Sequence, residues 1–189
     1  MVIGLTGGIG CGKTLAARFF VQQGFVAVDA DQLARQVLET PSVCALLRAR
    51  WGAEALLLDG MPNRAWIAAK VFTDTKERAF IESVTHPEVG RLRQEAIADP
   101  SRNYVVEIPL LFEKNLAAEF KAVVCVACSE VVRLQRLQGR GVSLDEAKRR
   151  IASQIPLDEK VKKSDYVLWN DGDAVFLERQ VQKLVAQLV

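Results

Sequence analysis

From Gly7 to Thr14 the chain reads GGIGCGKT, filling every fixed position of the pattern G-x-x-x-x-G-K-[ST]. Four glycines in six residues remove the Cβ atoms that would stop backbone N–H groups from turning inward onto an anion. Lys13 places an ammonium group within reach of outer phosphates, and the Thr14 hydroxyl is a hard oxygen ligand suited to Mg²⁺. The apolar run VIGLT before the loop predicts a strand, and the apolar spacing after it predicts a helix over 13–23. The positive end of that helix adds to the anion site. This strand–loop–helix context separates the loop from a glycine-rich turn with a chance Lys-Thr. Gly8, Ile9, Gly10, Cys11, Gly12, Lys13, Thr14 and Leu15 are therefore the expected nucleotide-binding positions.

Acidic residues fall where a phosphate acceptor or a metal would need them. Asp29 and Asp31 lie at the carboxyl end of the predicted strand FVAVD, the edge at which open α/β sheets bind ligands. A carboxylate there can take a hydroxyl proton and aim the oxygen at a γ-phosphate. Asp31 could equally cap the next helix, and Asp29 could be structural or stand near a metal. Glu107 ends the run NYVVEI as a metal-holding strand-end acid does, although a solvated charge is the plainer alternative. Arg133, Arg136 and Arg140 share one helical face by spacing, and Arg149 and Arg150 follow a Gly139-Arg-Gly141 break that suits a hinge. Guanidinium groups so arranged can clamp phosphates from a closing lid. Alternatively they form a solvated basic face paired to Glu130, Asp145 and Glu146.

The elements that must position these residues alternate. Strands are expected at 2–6, 25–29, 103–108, 121–127 and 165–169, with helices between them, which argues for βαβ units and a mainly parallel sheet. A helix over 31–39 ends at Thr40-Pro41. Residues 42–99 read as an almost wholly helical insert, interrupted at Gly60-Met61-Pro62 and at His86-Pro87. Ser129 to Gln138 is helical, Ser143-Leu-Asp-Glu146 has the form of a capping box, and a last helix follows Asn170-Asp171-Gly172.

The 189-residue chain is half hydrophobic and carries a formal net charge of +2, so neither a polybasic nucleic-acid arm nor an acidic tail is present. No run of about 18 apolar residues predicts a membrane span, and no basic segment precedes the first apolar run as in a signal peptide. Cys125-Val-Ala-Cys128 has redox or zinc spacing but sits in an apolar run without a second ligand pair, so buried thiols in a reducing cytoplasm are expected. A guanine-reading N-K-x-D segment is missing, and the length with its helical insert favours a small-molecule kinase over a GTPase or a large ATPase.

Beyond the loop, VDADQLAR, His86-Pro87, IPLLFE (108–113), RLQGRG and RIASQIPLDEKVKKSDYVLWNDG together resemble the dephospho-coenzyme A kinase family nearly end to end. That resemblance implies a P-loop three-layer α/β/α fold with a five-stranded parallel sheet of order 2-3-1-4-5. It also implies a single domain, 1–189, with a substrate-binding insert over 42–99 and a helical lid over 133–163. The implied reaction is ATP-dependent phosphorylation of the 3′-hydroxyl of dephospho-coenzyme A, the last step of coenzyme A synthesis, in the cytoplasm and with Mg²⁺. Asp31 would be the base that orients the hydroxyl, and Lys13 and Arg140 would act on the moving phosphoryl group. Arg136 and Arg140 would clamp phosphates, Asn170 and Gly172 would approach adenine, and His86 and Arg150 fall on acceptor-side motifs. Thr14 and Glu107 would serve the metal, whereas Arg133 and Arg149 lie outside the strongest pattern. Cys11 stands where the family usually has Ser, Leu15 where Thr or Ser is common, and Glu107 where Asp is more usual. The implied partners are ATP and dephospho-coenzyme A, with no nucleic acid or membrane, in a monomer or weak homo-oligomer. Another P-loop kinase, or a nucleotide-binding regulator without transfer chemistry, are the competing readings of the loop alone.

Overall fold

Five apolar runs become strands in the computed structural model, which describes residues 1–188. They are β1 (Val2–Gly7), β2 (Phe25–Asp29), β3 (Asn103–Glu107), β4 (Ala122–Ala127) and β5 (Tyr166–Trp169). All pair in parallel, in the order β2-β3-β1-β4-β5 expected from the sequence. β4, AVVCVA, is buried at every residue, as a strand in a parallel sheet covered on both faces must be. On one face Ile3, Leu5, Val124 and Val126 join a core with Ala16, Ala17 and Phe20 of α1 (Lys13–Gln22) and Leu177, Val181 and Leu184 of α9 (Ala174–Leu188). Phe20 and Phe25 meet edge to face with centroids 5.3 Å apart, which ties α1 to the strand that follows it. The register sets Asp29 beside Glu107, and Gly7 beside Val126, at the carboxyl edge of the sheet.

The chain divides into two compact units, Met1–Asp29 with the chain from Asp99 onward, and Ala30–Ala98. The second unit takes in α2 (Ala30–Leu38) as well as α3 (Pro41–Trp51), α4 (Arg64–Thr73) and α5 (Thr75–Ala96). Its own core gathers Val37, Val43, Leu47, Ala55 and Ile67 against Trp51, Trp66 and Phe80. Glu77 anchors one end, accepting from the Trp51 indole at 2.7 Å and from Arg50 at 3.2 Å. The expected interruption at His86-Pro87 does not occur, because α5 runs straight through Pro87. Proline removes one backbone donor, yet Phe80, Ile81, Val84, Val89 and Leu92 pack on the unit's core on both sides of it. Burial of that stripe outweighs the lost hydrogen bond.

Three helices fill the stretch between β4 and β5: α6 (Glu130–Gln138), α7 (Leu144–Ala152) and α8 (Leu157–Lys163). Ser129 and Ser143 cap the first two, accepting from Val132 N and Glu146 N. The Glu146 carboxylate does not reach back to complete the box, because Arg149 and Arg150 hold it at 2.8 Å. α8 was not anticipated as a separate helix, since its apolar signal is only Leu157 and Val161. Leu157 packs on the main core, and a buried polar contact fixes the helix beside β1 and β4. Lys160 is fully buried, donating to Pro109 O at 2.6 Å and pairing with Glu113 at 2.9 Å. Glu113 also accepts Ile155 N at 3.2 Å. Removing the ammonium strands a buried carboxylate, so Lys160→Ala is expected to destabilise the protein by about 3–5 kcal/mol. In a thermal melt this amounts to a Tm loss of roughly 10 °C, which Lys160→Met combined with Glu113→Leu largely restores.

Candidate active site

The glycine loop leaves β1 and enters α1 in a conformation that side chains would block. Gly7 has φ 144°, and a Cβ there would stand 2.2 Å from Val126 O. Gly12 has φ 95°, and its Cβ would stand 2.3 Å from Asn170 Nδ2. The loop is thus closely packed by protein at both glycines. Two struts hold it directly. The buried Asn170 amide donates to Cys11 O at 2.8 Å, while its backbone N–H bonds Ala127 O at 2.7 Å. Ile9 N donates to Gln154 Oε1 at 3.3 Å. Next to Asn170, the Asp171 carboxylate accepts Ser129 N at 2.8 Å, Ser129 Oγ at 3.0 Å and the Trp169 indole at 3.0 Å. The Ser129 backbone bond, foremost among these, holds the Asp171 carboxyl below the usual carboxylate range.

Two chemical groups emerge from this frame. Lys13 Nζ lies on the loop's own carbonyls, 3.2 Å from Gly7 O and 3.3 Å from Gly8 O, with the first turn of α1 carrying no acidic residue to oppose an anion. Thr14 Oγ1 donates to Glu107 Oε2 at 3.3 Å, which brings together residues 93 positions apart. A hydroxyl and a carboxylate side by side are hard oxygen donors of the kind Mg²⁺ takes when phosphates and water complete its shell. Among the described residues no group of three or more His, Cys, Asp or Glu gathers as a metal cage, so the donor set fits Mg²⁺ shared with a ligand rather than a closed metal centre.

Beneath the loop lies a thiol pair that sequence spacing did not reveal. Cys11 and Cys128 are both buried and hydrogen-bonded through their side chains. That bond, with the charges of Arg133 and Lys13, holds the Cys11 thiol down at about 7 against the opposing effect of burial. Cys128 is pushed upward by the same bond and by burial, and burial raises Cys125 to about 11. All four cysteines are free thiols, as the composition suggested.

The remaining candidates separate by environment. Arg136 is half-buried, with Nη1 enclosed and without a hydrogen-bond partner, 3.9 Å from where a Gly12 Cβ would be. Arg140 is exposed in the turn between α6 and α7, close to Gly141 at φ 78°. Arg150 pairs with Glu146 on its own helix, and a Cβ at Gly172 would stand 2.9 Å from the Phe176 ring. In the helical unit Asp31 lies in the first turn of α2, and His86 is exposed in the middle of α5. Cys11 and Leu15 close the loop from the core side, where Leu15 packs on the main apolar cluster.

A family model described as dephospho-CoA kinase (CoaE) matches residues 1–175. The chain belongs to the dephospho-CoA kinase family. A "Dephospho-CoA kinase" from Syntrophotalea carbinolica is 43% identical over 196 residues, covering 100% of this chain and 92% of that protein. The crystal structure of TT1252 from Thermus thermophilus matches with a TM-score of 0.89 at 34% identity, covering 100% of this chain and 98% of that one. A dephospho-CoA kinase from Campylobacter jejuni matches with a TM-score of 0.67 at 25% identity, covering 98% and 96%. The chain is accordingly an ATP-dependent kinase that phosphorylates dephospho-CoA in coenzyme A synthesis.

Within this family member, reading residue by residue missed Gln154, Glu113, Lys160, Asp171 and Cys128. Gln154 and Glu113 lie inside the segments RIASQIP and IPLLFE, so a signal existed without a role attached to it. Lys160 sits in DEKVKK among exposed lysines, and only tertiary packing singles it out. Two outcomes follow for the kinase. Gly12→Ala should weaken ATP binding about tenfold or more (~1.4 kcal/mol) in equilibrium titration, because the new methyl group displaces Asn170. Against a Cys11→Ser reference, the stability supplied by the depressed Cys11 thiol is complete above its ordinary value of 9.0 and disappears as pH falls through about 7. Urea midpoints of the two proteins should therefore converge on acidification and separate toward alkaline pH.

Proposed function

We propose that the chain moves the γ-phosphoryl group of Mg·ATP onto the 3′-hydroxyl of the adenosine ribose in dephospho-CoA. The observation that carries the reading is the Thr14–Glu107 contact at 3.3 Å beside Lys13, at the mouth of a loop whose glycines admit no side chain. Thr14 and Glu107 would hold Mg²⁺, which when bound supplies charge neutralisation across the outer phosphates. Lys13 exchanges the carbonyls of Gly7 and Gly8 for phosphate oxygens. Asp31 takes the acceptor proton as the new ribose O–P bond forms, and the bond from the γ-phosphorus to the β-bridging oxygen breaks to release ADP. Asp31 is carried only two residues beyond the β2 terminus, at the start of a helix that its charge also favours. Arg136 and Arg140 meet the phosphates as a lid, Asn170 and Gly172 frame the adenine end, and His86 and Arg150 address the acceptor. The 42–99 insert carries the acceptor-binding surface.

No helix among the described residues is long and apolar enough to cross a membrane, and the near-balanced charge offers no broad basic face for nucleic acid. A cytoplasmic enzyme, monomeric or weakly associated, is the setting we infer. The decisive assay offers ATP with a panel of acceptors: dephospho-CoA, nucleoside monophosphates and shikimate. Turnover of dephospho-CoA with the new phosphate at the 3′ position supports the reading, and turnover of another acceptor in its place overturns it. In the same assay Asp31→Asn should lower kcat by about 10²–10⁴-fold with KM for ATP close to wild type. An unchanged kcat reduces Asp31 to a helix-terminal charge.

A further inference from the structure

The phosphate loop rests on an arginine that the motifs of the chain leave without a role. Arg133 lies in the first turn of α6 and is 7% exposed, one of the few charged side chains so deeply buried. Its guanidinium carbon and Nε stand 3.3 and 3.4 Å from the place of a Gly8 Cβ, and its backbone oxygen and Cα stand 3.2 and 3.6 Å from that of Gly10. Gly8 does not have a left-handed φ, so what excludes a side chain there is Cys11 Sγ and this guanidinium rather than the backbone. Arg133 Nε is buried and has no hydrogen-bond partner. A buried, unpartnered nitrogen on a permanent cation is a costly arrangement for a side chain that only packs. An arginine needed for packing alone would be replaceable by an apolar residue without that penalty.

We propose that Arg133 is a positioning residue for the ATP phosphates: it packs beneath Gly8 and Gly10, fixes the direction of the loop's N–H groups and keeps the loop electropositive. The inference rests on the Mg·ATP reading above and adds a residue to it. Charge, not volume, is the working feature, since a buried guanidinium with an unpartnered Nε carries a cost of burial that an apolar filler of the same size would not. Its field already reaches the neighbouring thiol, where it favours the Cys11 thiolate. Arg136, one turn further along α6, adds a second enclosed guanidinium nitrogen at Gly12. α6 thereby supports the loop at three of its glycines.

The test compares Arg133→Met, which keeps length and loses charge, with Arg133→Lys, which keeps charge. Binding of a non-hydrolysable Mg·ATP analogue is measured by calorimetry, KM for each substrate by steady-state kinetics, and Cys11 ionisation by thiolate absorbance. Arg133→Met should weaken analogue binding about tenfold or more, as expected for loss of one charged interaction. KM for dephospho-CoA should stay within about twofold, since it involves no loop N–H group. The Cys11 midpoint should rise, and Arg133→Lys should recover most of both losses. If Arg133→Met binds the analogue as wild type does, or if Lys and Met weaken it equally while both lower the melting temperature, the residue is a structural filler and the proposal is overturned. Because analogue binding needs no acceptor, failure of the dephospho-CoA assay would be separable from failure of this inference.

Discussion

A loop that binds phosphate through its backbone must keep its N–H groups pointing inward and empty of side chains, so something other than its own side chains has to hold it from outside. In this protein that constraint organises the larger unit. The β1–β4 register brings Val126 O against Gly7, the β4–β5 register carries Asn170 to Cys11 O, and α6, which leaves the same edge of β4, lays Arg133 against Gly8 and Gly10. Sheet order is therefore part of the site. If β4 and β5 did not flank β1 on this side, none of these three supports would reach the loop. The Ser129–Asp171 bonds serve the same end, since they join the start of α6 to the turn that bears Asn170.

The same loop concentrates positive charge, and the protein offsets it with its own acceptors. Lys13 lies on two loop carbonyls, the Cys11 thiol is drawn toward ionisation, and Glu107 meets Thr14 at the rim. A carbonyl carries only a dipole, and a thiolate spreads its charge over a large, soft sulfur, so both are weaker partners than a phosphate oxygen. A triphosphate offers Lys13 a charge-assisted bond that the carbonyls of Gly7 and Gly8 cannot. The strong buried pair, Lys160–Glu113, is placed instead where it ties α8 to the segment after β3.

How much of this the sequence shows depends on whether a feature is local. The loop, the five strands, their order through the family resemblance, and the cap at Ser143 were legible because each follows from a few adjacent residues or from the resemblance. Pro87 misled because helix propensity is local whereas the stripe from Phe80 to Leu92 gains its burial from partners elsewhere in the helical unit. Gln154, Lys160 and Cys128 were invisible as site residues for the same reason. Their partners, Ile9, Glu113 and Cys11, are more than 40 residues distant, and nothing in the type or spacing of the three announces them. Arg133 shows the limit most clearly: its i, i+3, i+7 spacing with Arg136 and Arg140 suggested one basic face, yet the structure buries the first, half-buries the second and exposes the third. Helical spacing assigns a face but not a depth.

The two units divide the proposed chemistry in a way that the chain itself makes necessary. Every residue proposed to meet phosphate, from Lys13 to Glu107 and the arginines of α6, is positioned by the sheet and its helices. Asp31 opens α2, whose Val37 is packed with Val43, Leu47 and Ile67 in the separate core of the helical unit. No linker residue separates the β2 terminus at Asp29 from the start of α2 at Ala30. The role proposed for Asp31 therefore rests on a backbone that belongs to the helical unit. The steep dependence of phosphoryl transfer on alignment makes even a small displacement there matter.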